Sequence, residues 1–257
     1  MQAWGEAYLS DFPIVSGRPA AVSRTLAHPF ATLPTNPLVV NVYPGVRLVL
    51  TDPMPVEAVE TARKHLSLAA EDLDANRVAA LVVEAADEWG AAALWEQVCV
   101  PMLAALPGHT AIEVAVEHAL AEGVRVGLDV FRRVPGRPLP TGGVLLAGAE
   151  QETHCLGLHA LAAALRERTR GSLLLGPALP WTALASAARR VRPRIVVVWA
   201  QTPVTGRAYR LVRFARDFPA IQVYGAGPGW IEPLGDPATR LWTLPAAVAA
   251  CAAPLLP

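Results

Sequence analysis

The residues best suited to chemistry stand in Gly143-Val-Leu-Leu-Ala-Gly-Ala-Glu-Gln-Glu-Thr-His-Cys-Leu-Gly157. Within it, Glu152 precedes His154 by two residues and Gly157 follows by three. A histidine so placed can ligate a metal through one ring nitrogen while the carboxylate holds the proton of the other. The apolar run Val144 to Ala147 reads as a buried strand, and a helix is expected from about Gly157. The pair therefore falls on a loop at the carboxyl end of a strand. Gly157 would let a large ligand lie close to the backbone at the helix start. A loop histidine with no ligand is the competing reading, and the flanking elements decide between the two.

Those elements belong to a chain of 257 residues, 53% of them apolar, with room for one large or two modest domains. Lys+Arg and Asp+Glu both number 22, so no net charge draws the chain to nucleic acid or to an anionic membrane. Charge or proline interrupts every apolar run before membrane-spanning length, so no transmembrane helix is expected. Met1-Gln-Ala-Trp-Gly-Glu lacks the layout of a signal peptide, and the expected location is cytoplasmic. Cys99, Cys155 and Cys251 are too widely spaced for a disulfide framework or a zinc site.

Taken in order, residues 1–52 read as an extension with scattered prolines and aromatics. It closes with a hairpin, Leu38–Val42 and Val46–Leu50 about Tyr43-Pro44-Gly45. Residues 53–134 read as a four-helix bundle. Its helices are expected at Val56 to Ala70, at Ala75 to Asp87 behind an Asp74 N-cap, at Ala91 to Leu106 with a kink at Pro101, and from the capping box Thr110-x-x-Glu113 to about Phe131. Arg132 to Thr141 has the proline and glycine content of a linker. Residues 141–257 alternate strand and helix. Strands are expected at 144–147, 172–175, 195–199, 221–224 and 240–243, and helices at about 157–168, 181–191, 205–216 and 245–252. The fold class is therefore α/β, a flavodoxin-like doubly wound parallel sheet preceded by the bundle and the extension. Such sheets bind ligands at the carboxyl edge of the strands, near the switch point, where His154 falls.

Glu152-x-His154-x-x-Gly157 resembles the Asp/Glu-x-His-x-x-Gly signature of cobalamin-binding domains. Leu175-Gly-Pro-Ala-Leu-Pro-Trp-Thr-Ala-Leu184, Arg192-Pro-Arg-Ile-Val-Val-Val198 and Tyr224-Gly-Ala-Gly227 resemble that family's later sheet segments. The resemblance covers roughly residues 54 to 250. It implies that His154 is the lower cobalt ligand in place of the cofactor's own base, and that the freed nucleotide tail enters a slot beside the sheet. Gly225 and Gly227 would line that slot. Where the family usually has a small hydroxyl residue, this chain has Trp199-Ala200-Gln201. Trp199 would either fill part of the slot or face the other side of its strand, and Gln201 would hydrogen-bond the tail.

In the bundle, Glu117-His118 and Leu94-Trp-Glu-Gln-Val-Cys-Val-Pro101 resemble light-sensing cobalamin proteins of the CarH type. Those carry a covering tryptophan ten residues before the glutamate. Here that position is Pro107, and His109 follows as a candidate upper cobalt ligand. The resemblance implies a light sensor that binds cobalamin and signals to an effector protein. It extends to the photocobilin branch, in which a bilin such as biliverdin is a second chromophore. The alternative is the corrinoid-carrying subunit of a methyltransferase, and a domain that binds protein alone is a further reading. Direct DNA binding and membrane binding are not expected; a homo-oligomer is compatible with the pattern. Trp89, Trp95, His28, His65, His159 and Cys155 are read as structural or surface residues.

Overall fold

The computed structural model describes residues 53–106, 108, 110–132, 139 and 143–252, and the backbone of hairpin strands β1 (Val39–Tyr43) and β2 (Val46–Val49). The expected extension otherwise lies outside the described residues, as does most of the expected linker. The hairpin strands pair antiparallel, Val39 against Val49 and Val40 against Leu48. Residues 37–257 form one compact unit.

The bundle comprises α1 (Val56–Glu71), α2 (Ala75–Trp89), a continuous helical stretch and α5 (Ala111–Arg132). The Asp74 carboxylate accepts from the Arg77 amide at 2.9 Å and starts α2. Thr110 and Glu113 exchange bonds, amide to carboxylate at 2.9 Å and amide to hydroxyl at 3.3 Å, and start α5 as a capping box. The continuous stretch is α3 (Ala91–Leu94), a π segment (Trp95–Cys99) and α4 (Val100–Ala105). Pro101 has no amide to offer the Gln97 carbonyl four residues before it. Arg63 of α1 supplies the missing donor through Nη2 at 2.5 Å. The helix thus widens into a π turn before Pro101 and continues past it.

Gly123 and Gly127 set the spacing inside the bundle. A Cβ on Gly127 would come within 2.7 Å of Val82 Cβ, and one on Gly123 would collide with Val78. Only bare glycines let α5 and α2 approach so closely. The contacts rise in number together, Gly123 with Val78 and Gly127 with Val82, so α2 and α5 run parallel.

The sheet holds β3 (Val144–Gly148), β4 (Leu173–Leu174), β5 (Ile195–Trp199), β6 (Gln222–Ala226) and β7 (Ala238–Leu241), in the spatial order β4-β3-β5-β6-β7. Every pairing is parallel. This is the flavodoxin-like order, whose switch point lies between the first strand and the third, here β3 and β5. Helices α6 (Leu156–Glu167) and α9 (Leu244–Ala252) cover one face; α7 (Trp181–Val191) and α8 (Ala208–Asp217) cover the other. Strand alternation divides the core accordingly. Val144, Leu146, Ile195 and Val197 join the α6 side, and Leu145, Ala147, Val196 and Val198 the α7 side.

The bundle shares the core of the α6 face rather than forming a core of its own. Residues Ala160 to Leu165 of α6 are all buried, because the helix lies between sheet and bundle. Each buried Leu or Val there contributes about 1.5–3 kcal/mol. Two carboxylates also span the boundary. Glu96 Oε1 accepts from the Leu244 amide at 2.9 Å, at the start of α9. Glu167 Oε1 accepts from the Ala91 amide at 2.5 Å, at the start of α3. Both satisfy amides that a helix start leaves without partners.

Candidate functional site

Three loops leave the carboxyl edge of the sheet and meet at one carboxylate. Glu152 is 1% exposed. Its Oε1 accepts from the His154 amide at 2.8 Å and lies 2.9 Å from His154 Nδ1. Its Oε2 accepts from the amides of Gln201 at 2.8 Å and Thr202 at 3.2 Å, and from Thr205 Oγ1 at 2.5 Å. The Glu152 carbonyl accepts from the Ala178 amide at 2.7 Å, which brings in the loop after β4. Burial alone pushes this carboxyl up. The bonds from His154, Thr205 and the backbone amides outweigh it and hold the pKa at about 2. Glu152 is therefore an anion at neutral pH with both oxygens fully used.

That charge fixes the neighbouring imidazole. With Nδ1 against the carboxylate, the ring orientation is set, and Nε2 is the nitrogen turned away from Glu152. His154 is half-buried at the edge of the site. Cys155 beside it is buried; burial, then the Glu152 charge, pushes its thiol up to about 12, which suits a packing residue and not a nucleophile. Its sulfur packs against Gly148, where an added Cβ would lie 2.6 Å from Sγ.

Trp199 ends β5 on the same side as Ile195 and Val197, and packs on the α6 face. An added Cβ on Gly157, in the first turn of α6, would run into the far edge of the Trp199 ring. One on Gly227, just after β6, would come within 3.0 Å of Trp199 Cε2. The indole therefore lies between the two glycines. Its Nε1 is buried and meets no hydrogen-bond acceptor among the described residues. An added Cβ on Gly225 would face the other way, against Leu234, Leu211 and Trp230. The Gln201 side chain is exposed, and its backbone amide is what serves the site.

The bundle residues lie above this edge. Glu122 of α5 lies near His159 of α6. The end of α2 lies beside Glu167, at the end of α6. With α2 parallel to α5, these two contacts make α5 run in the same sense as α6. The start of α5 then projects about two turns, roughly 12 Å, beyond the start of α6. Glu117 and His118 fall on this projection. Glu117 is half-buried, with Oε2 3.5 Å from where a Gly108 Cβ would be, and His118 is exposed. Adjacent residues on a helix point about 100° apart, so the two side chains serve different surroundings. Pro107 and the candidate upper ligand His109 lie outside the described residues.

Sequence reasoning did not single out Thr202 and Thr205. Their one visible signal is two hydroxyls in Gln201-Thr-Pro-Val-Thr205, directly after a buried strand.

Among the described residues, no group of three or more His, Cys, Asp or Glu side chains converges as a metal cage. Glu152 is spent on hydrogen bonds, which leaves His154 as a single imidazole donor at the edge. His154 fits a group that would bring its remaining metal donors itself, as a macrocycle does. Beside the sheet, the Trp199 indole fills the space between Gly157 and Gly227.

No protein-family model matches the chain, and no curated protein matches it. Among solved structures it is similar in part to several corrinoid or cobalamin-related proteins, including the following three. The monomethylamine corrinoid protein of Methanosarcina barkeri is 16% identical, with 74% of this chain and 97% of that chain covered at a TM-score of 0.48. A cobalamin-binding protein of Desulfitobacterium hafniense DCB-2 is 15% identical, with 72% and 95% covered at 0.38. The methanol:cobalamin methyltransferase complex of Methanosarcina barkeri is 16% identical, with 77% and 83% covered at 0.37. Among the described residues, no helix is long and apolar enough to cross a membrane.

Proposed function

We propose that this chain is a tetrapyrrole-binding module of the corrinoid kind, with His154 as the axial metal ligand and Glu152 as the residue that orients it. The observation that carries the reading is the saturated, buried Glu152 carboxylate, which leaves one oriented imidazole at the switch point. The motif Glu152-x-His154-x-x-Gly157 resembles that of cobalamin-binding domains, so a corrinoid is the member of this class that it calls for. When bound, such a group supplies a cobalt centre with a labile, light-sensitive upper ligand. What this chain does is narrower. It fixes one imidazole, holds a negative charge behind it, and keeps water from the carboxylate.

The role we assign is sensing. The reading is supported by the projection of α5, which carries His118, past the start of α6; His109 precedes that helix in sequence. His118 or His109 would be the residue that meets the bound group from the bundle side. The signal would be a shift of bundle against sheet, read by an effector protein or by a second copy of the chain. Biliverdin, as a second ligand between bundle and sheet, belongs to this reading. The exposure of His118 favours the alternative, a carrier subunit of a methyltransferase, because an open rim also admits a partner enzyme.

The test is absorption spectroscopy of protein titrated with corrinoids, dark and illuminated, with biliverdin added last. The reading expects a bound corrinoid whose spectrum changes in His154→Ala, and a light-induced spectrum with two imidazoles that His109→Ala or His118→Ala removes. A corrinoid spectrum indifferent to His154→Ala overturns the ligand assignment. Bound corrinoid that is unchanged by light favours the carrier. A far-red band that survives gel filtration supports the bilin, and biliverdin eluting alone removes it.

A further inference from the structure

The indole of Trp199, at the end of β5, occupies the space between Gly157 of α6 and Gly227 just after β6. It cannot leave by a backbone shift. The Trp199 carbonyl accepts from the Ala149 amide at 2.8 Å, the Ala200 amide donates to Ala226 at 3.0 Å, and the Ala200 carbonyl accepts from Gly229 at 2.9 Å. Its parity with Ile195 and Val197 aims it at the α6 face. A Cβ on Gly157 would overlap the ring, and one on Gly227 would touch it at 3.0 Å, so the ring has a close neighbour on each side. An indole is a fused six- and five-membered ring, the outline of the benzimidazole that ends the nucleotide tail of cobalamin. The buried, partnerless Nε1 shows that the ring is not held there by a polar bond of its own.

We infer that the site takes a metal tetrapyrrole that carries no nucleotide tail, with Trp199 filling the space a tail would enter. This rests on the reading of His154 as the axial ligand. It divides the two halves of the motif. Glu152 and His154 still serve the metal, whereas Gly157 accommodates a side chain of the protein itself. A tail-less macrocycle has no anchor beside the sheet, so His154 and contacts to the ring must hold it alone.

The experiment is a binding titration of the full chain with aquacobinamide, which lacks the tail, and with hydroxocobalamin, which has it. Both are followed by absorption and by retention on gel filtration. The wild-type chain should bind cobinamide at least tenfold more tightly than hydroxocobalamin, and His154→Ala should lose the cobinamide. Trp199→Ser should gain hydroxocobalamin at least tenfold with cobinamide little changed. Trp199→Phe, which keeps an aromatic ring in place, should behave as wild type. Hydroxocobalamin bound by the wild type as tightly as cobinamide, through His154, overturns the inference and leaves the proposed function standing. Uptake of hydroxocobalamin by Trp199→Ser alone, with cobinamide refused throughout, overturns it too and marks a lapsed cobalamin site. Neither corrinoid bound by any of these proteins overturns inference and proposed function together. The wild-type comparison decides the matter even if Trp199→Ser fails to fold.

Discussion

Trp199 and Trp230 lie on opposite faces of one sheet and are held in different ways. Trp230 is fully buried on the α7 and α8 side, and its Nε1 donates to the Ala226 carbonyl at 2.9 Å. The Arg240 guanidinium donates to its carbonyl. Trp199 is less deeply buried, and its Nε1 has no acceptor. A buried indole usually finds a partner for its N–H, and one without gives up part of what its burial contributes. The pair teaches that the α7 face is built for stability, while the α6 face tolerates an imperfect fit beside the candidate ligand site.

Truncation tests that contrast most strongly. Trp230→Ala removes a satisfied core residue and should cost about 3–5 kcal/mol. Trp199→Ala gives back a desolvated N–H and should cost roughly 1–3 kcal/mol less than that. Urea denaturation of the two variants measures the gap, and equal losses would erase the distinction.

Acid comes next, because it acts on the site face through Glu152. The carboxyl has a folded pKa of about 2 against an ordinary value of 4.5. A depressed folded pKa means stability that is present above the unfolded value and lost as pH falls through the folded one. The difference corresponds to roughly 3 kcal/mol, drawn down between about pH 4.5 and pH 2. Glu152→Gln should start less stable at neutral pH and show a flatter acid limb in pH-dependent urea melts.

Gly157→Ala sharpens the comparison by a smaller amount. The added methyl meets the Trp199 ring, and relief of that overlap should cost about 1–3 kcal/mol. In the Trp199→Ser background the same change should cost well under half as much. Strict additivity in the double-mutant cycle would place the ring elsewhere. The smallest effect is at Thr205. Thr205→Val removes one hydroxyl from Glu152 Oε2, costs about 1 kcal/mol, and moves the acid limb upward in pH.

The sequence made much of this architecture legible because the signals were local. The Asp74 cap and the Thr110–Glu113 box are read within four residues, and both hold at hydrogen-bond distance. Buried parallel strands are continuous apolar runs, so β3 and β5 stood out, whereas the two-residue β4 and the shifted β7 were harder to bound. Parity alone puts Trp199 with Ile195 and Val197, but which helix covers that side depends on the crossovers. Thr205 lies 53 residues from Glu152, and no local pattern announces such a partner. The glycine spacing of α5 was equally silent, since Gly123 and Gly127 acquire meaning only when Val78 and Val82 are opposite.

The two carboxylates that span bundle and sheet have a mechanical consequence. Glu96 holds the start of α9 and Glu167 holds the start of α3, on separate elements. Both bonds flank the core that the bundle shares with the α6 face, so a displacement of the bundle that spares them must still shear that core.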